Sequence, residues 1–126
     1  EKDEAWQEAQ TLQAEALGFA QRAAFPHALA CRWQEEWQGF ALYCQLFMHA
    51  HKAFFTLHYA TVVENNWSMR EICQVNIQEL YRCAVEMDTF CAKHPEASPG
   101  MHVIFDASRV RALADSLHHQ LTQLKA

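Results

Sequence analysis

Apolar residues return every three or four positions along four stretches of this chain, the spacing of helices with one buried face. The first stretch, about residues 3–24, carries Trp6, Ala9, Leu12, Ala16, Phe19, Ala20 and Ala23. Pro26 closes it, because the residue before a proline is pushed out of helical geometry. The second stretch, about 27–64, has a seam of Trp33, Trp37, Phe40, Cys44, Phe47, His51, Phe54, His58 and Thr61, alternating four and three. One continuous helix of about 55 Å is expected. Gly39 marks the place where it would otherwise kink. Asn65 and Asn66 then supply a turn.

Ser68 with Glu71 forms a capping-box pair that opens the third stretch, about 68–93. Its stripe is Met69, Ile72, Cys73, Asn76, Ile77, Leu80, Cys83, Ala84, Met87, Phe90 and Cys91. His94-Pro95 ends it, and residues 95–100 read as a loop. The last stretch, about 99–125, starts either at the Ser98-Pro99 cap or only after Asp106. Its seam is Ala107, Val110, Ala114, Leu117, Leu121 and Leu124. Short connections favour antiparallel neighbours. The expected fold is all-α: an up-and-down antiparallel four-helix bundle, a single domain of 126 residues.

The second stretch is the unusual one. Between Glu36 and Glu64 the only formal charge is Lys52. On a helical wheel Gln45, His49, Lys52 and Thr56 fall within roughly 60° and make one narrow polar strip. The rest of the circumference is apolar, so this helix is expected to be largely buried, with His49 facing solvent. His51 and His58 lie about 130° to 150° from the strip and are expected to be deep, each with a hydrogen-bond partner. Folding back about Asn65–Asn66 brings His58 level with Gln74, one turn from Cys73 and Asn76. Folding back near Ala97 brings Asn76 level with His118. The first helix, paired about Pro26, would stop covering the second near His51. That leaves an apolar overhang of about 20 Å around His58.

Composition narrows the chemistry. Hydrophobic residues make up 51% of the chain, with only three glycines and three prolines, which suits long helices. A net charge of −5 and ten Lys+Arg exclude the basic face of a nucleic-acid binder. Polar residues within the second stretch argue against a membrane span. Five cysteines, an odd number in no CxxC pattern, read as reduced core thiols in the cytoplasm. Cys31, near His27 and Arg32, has the most electropositive setting of the five.

No Glu-x-x-His pair, helical His-x-x-x-His, Gly-rich phosphate loop or Gly-x-Ser-x-Gly elbow is present. No catalytic residue, metal or cofactor is therefore expected. Any metal would fall to His58 and His118. His49-Ala50-His51-Lys52 resembles the His-x-x-Lys of histidine phosphotransfer domains, but Ala53 stands where that pattern has glycine, and Phe54 and Phe55 follow. Two non-enzymatic roles remain. The favoured one is an interaction or assembly module forming a homodimer through the second helix, with Trp33 and Trp37 a turn apart and Trp6 opposite. The other is a pocket for a small apolar ligand, lined by Phe54, Leu57, His58, Thr61, Asn76 and His118.

Overall fold

A computed structural model describes residues 2–22, 27–62, 67–94 and 106–124. Within them the chain forms four α-helices and no strand: α1 (Lys2–Arg22), α2 (His27–Val62), α3 (Trp67–Lys93) and α4 (Ala107–Thr122). Gly39 does not interrupt α2, which runs 36 residues. The expected turn at Asn65–Asn66, the Pro26 break, the 95–100 loop and a start at Ser98-Pro99 lie outside the described residues. Asp106 caps α4 from an extended conformation, and its carboxylate accepts from the backbone N–H groups of Ser108 and Arg109. These are N–H groups that the first turn of a helix leaves without an internal partner.

The chain divides into two compact units, Glu1–Ala41 and Leu42–Ala126. In the first, Trp6 of α1 stacks on Trp37 of α2, the ring centroids 6.4 Å apart and the planes 5° from parallel. Phe40 tilts against Trp37 at 5.8 Å. This meets the expectation that Trp6 lies opposite Trp37.

The second unit holds a core built from three helices. Ala53 and Leu57 of α2 meet Cys73, Ile77, Leu80, Ala84 and Met87 of α3 and Val110, Ala114 and Leu117 of α4. The expected stripe of α3 is buried from Cys73 to Phe90, and the seam of α4 is buried from Ala107 to Leu117. Polar pairs tie the helices together. Across α2 and α3 these are Gln45 with Arg82, His49 with Asn76, and Ala53 with Cys73. Across α3 and α4 they are Tyr81 with Asp115, and Asp88 with Arg111 at 2.7 Å. In both sets the numbers rise on one helix as they fall on the other.

The burial of α2 is confined to one side. Leu42, Ala53, Leu57 and Ala60 are buried, whereas Tyr43, Phe47, Phe54, Phe55, Tyr59 and Val62 are 44–67% exposed. Small residues line the buried side, which lets the α2 backbone approach α3 closely. The Cys73 thiol reaches the Ala53 carbonyl at 3.4 Å.

Candidate functional site

The polar strip of α2 faces α3, where the wheel had placed it toward solvent. Asn76, buried on α3, donates through Nδ2 to the Ile72 carbonyl at 2.8 Å. Its Oδ1 is thereby turned toward His49 and accepts from Nδ1–H at 2.9 Å. The other imidazole nitrogen, Nε2, lies 3.7 Å from Glu79 Oε2. Glu79 in turn accepts from Arg82 Nε at 2.6 Å, and Arg82 reaches Glu86 and the Gln45 amide oxygen. Only 14% of the His49 side chain remains accessible. Thr56 completes the strip by donating to the Lys52 carbonyl at 2.6 Å. A wheel shows which residues share a face but not which face meets a neighbour, and α3 carries a matching polar edge in Asn76, Glu79, Arg82 and Glu86. That edge, spaced three, three and four beside the apolar stripe, was the available signal for His49's partners.

The residues expected to line a pocket have different surroundings. Leu57 is in the core and Asn76 is bonded to His49. His58, Thr61 and His118 are exposed, and the Thr61 hydroxyl donates to its own helix at Leu57. His49, not His58, comes level with Asn76, and His58 lies nine residues, about 13 Å, farther along α2. His51 is half-buried rather than deep. Its ring packs on Phe47 at 4.4 Å and on Phe55 at 5.6 Å. Among the described residues no group of three or more His, Cys, Asp or Glu is placed to hold a metal ion.

Among the described residues a concave surface of this unit lies between α2 and α4. Two adjoining depressions of about 420 Å³ and about 360 Å³ share Ala50 and Leu113. Tyr43, Leu46, Phe47, Phe54 and Phe55 form the α2 wall, and Val110, Leu113 and Leu117 form the α4 wall. Asp106 and Arg109, paired at 3.4 Å, stand at the Tyr43 end. His51 is the one titratable residue lining the other depression. Of the expected ligand set, Phe54 alone lines this groove.

The cysteine thiols are poorly suited to nucleophilic chemistry. Burial pushes Cys44, Cys73 and Cys91 above the ordinary thiol range and Cys83 up to about 11. The thiolate is the reactive form, so a raised value suppresses attack at neutral pH. Alkylation with iodoacetamide near neutral pH is expected to label Cys73 and Cys83 only on unfolding. Mass spectrometry of the native protein finding both rapidly modified would contradict this. The side chain of Cys31 lies outside those described.

Among the described residues no helix is long and apolar enough to cross a membrane. Comparison with protein-family models, curated protein sequences and solved structures finds no match to this chain.

Proposed function

We propose that this chain is a non-enzymatic interaction and assembly module that forms a homodimer through α2. The single observation behind this is the aromatic arc. Tyr43, Phe54, Phe47, Val62, Phe55 and Tyr59 are all substantially exposed, and at about 100° per residue they span an arc of about 160°. An aromatic side chain carries about 150–250 Å² of contact area, so five that are half accessible offer on the order of 500 Å². Such a patch is at the upper end of what monomers expose. Two copies joined through it would bury at least roughly 1,000 Å², the lower bound of specific interfaces. Aromatic enrichment with few charges is also the composition of interface cores.

Within the second unit, the opposed numbering of the cross-helix pairs supports antiparallel α2/α3 and α3/α4 neighbours, the local pattern of an up-and-down bundle. The second copy's α2 would then lie along the α2/α4 groove. Reduced thiols support a cytoplasmic setting.

Sedimentation equilibrium tests the proposal. A monomer–dimer equilibrium is expected, and Phe54→Gln with Phe55→Gln should weaken it by at least about tenfold, because central aromatic anchors dominate interface energies. Both positions are exposed, so unchanged helicity is expected in the variant. A mass that stays monomeric at every concentration overturns the dimer. The groove supports a second reading, a small apolar ligand. In that case a monomer would gain thermal stability from an alkyl or aromatic compound, with no dependence on protein concentration.

A further inference from the structure

We propose that self-association through α2 is switched by the charge on His51, acidification separating the copies. The inference rests on the self-association reading and assigns a control to that same surface. His51 sits between residues 43 and 62, near the middle of the aromatic arc. Its imidazole lies between the rings of Phe47 and Phe55, at 4.4 and 5.6 Å. It also lines the apolar groove opposite Leu113 and Leu117.

A homodimer that uses one patch on both copies is two-fold symmetric. An axis at the middle of the arc, between residues 52 and 53, sets each His51 against the second copy's Phe54. Both imidazoles are then enclosed by aromatic and aliphatic groups. Neutral imidazole is tolerated there. An imidazolium loses its hydration and gains only the attraction of ring faces, which is smaller than the desolvation penalty of an unpaired ion.

Among the described residues lining the His51 depression, none carries a charge that would offset the imidazolium. The α4 wall opposite it is Leu113 and Leu117. Asp106 and Arg109 stand at the other end of the groove and pair with each other. On α2, Lys52 is about 100° around the helix from His51 and points away from it. His58 is on the same arc but exposed. Glu79 is engaged on the α3 side with His49 and Arg82.

Histidine changes charge between pH 5 and 8, so the free copies take up protons that the dimer must release. Linkage fixes the sign: association is strong in the neutral form and weakens as pH falls. Releasing one or two protons per dimer raises Kd between about tenfold and a hundredfold per pH unit across the acidic side.

The test measures Kd by sedimentation equilibrium at about pH 8 and about pH 5.5 for the full chain and for His51→Gln. The full chain is expected to dissociate at the lower pH, while His51→Gln stays dimeric and loses most of the dependence. A dimer whose Kd is the same at both pH values overturns the switch alone. So does a His51→Gln variant that keeps the full dependence, because another group then carries it. A chain monomeric at both pH values removes the self-association reading and the switch together.

Discussion

Replacing Leu80 with alanine is expected to destabilise the second unit by about 2–5 kcal/mol. Leu80 has no accessible surface and stands at the centre of α3. The core it belongs to draws on all three helices, with Leu57 from α2, Ile77 and Met87 from α3, and Leu117 from α4. Removing its isobutyl group loses the transfer free energy and leaves a cavity that packed helices only partly close. The comparison is Val85→Ala, on the same helix but 57% exposed, which should cost under about 0.5 kcal/mol. Domains of ordinary stability hold about 5–15 kcal/mol in reserve, so the Leu80 change alone removes a large share. Urea unfolding followed by circular dichroism should show a lowered midpoint for Leu80→Ala at unchanged slope. Equal midpoints for the two variants would mean that Leu80 is not at the centre of the core.

How far the fold is legible in sequence depends on whether a helix labels its own outer face. The polar residues of α3 and α4 are spread around the side away from the stripe, so the buried positions from Cys73 to Leu117 follow from spacing alone. The residues of α2 give no such label. Almost without charge, its wheel has one polar strip, and amphipathic logic turns that strip to solvent. Here a neighbour with its own polar edge captures the strip, and the aromatic arc is left outside. Burial of one helix is thus decided by the complementarity of another. Ala53 and Ala60, small and opposite the aromatics, are the local sign that α2 approaches a backbone on that side. The register of α2 on α3 departs from equal spacing about the turn for a related reason. Counting from Asn65–Asn66 assumes an equal number of residues to each side. The pairs His49–Asn76 and Ala53–Cys73 show a register displaced by more than one turn. That displacement separates His58 from Asn76 and gives His49 the partner expected for His58.

Asn76→Ala is expected to cost about 1–3 kcal/mol, through the polar seam rather than the core volume. Asn76 is buried, and its amide makes two bonds of opposite sense: Nδ2–H to the Ile72 carbonyl and Oδ1 from His49 Nδ1–H. Truncation leaves a carbonyl on α3 that α-helical pairing already serves, but it leaves the His49 N–H facing a methyl group. The imidazole is nearly buried and has Glu79 on its other side at 3.7 Å, so it has little freedom to find water. An unsatisfied buried donor carries a desolvation penalty larger than the net gain of a made hydrogen bond. The asymmetry yields a sharper test than one substitution. His49→Leu with Asn76→Leu removes donor and acceptor together and should cost less than the sum of the two single changes, with a coupling of about 0.5–1.5 kcal/mol. Nitrogen NMR of the histidine rings reads the same bond directly. In the parent protein Nδ1 of His49 should resonate as a protonated nitrogen, held in that state by the Asn76 oxygen. In Asn76→Ala the constraint is gone and the Nδ1 signal should shift. Additive single-site costs with an unmoved His49 signal would show that α2 docks on α3 without this bond, and that the strip's direction is set by Ala53, Leu57 and Ala60 alone.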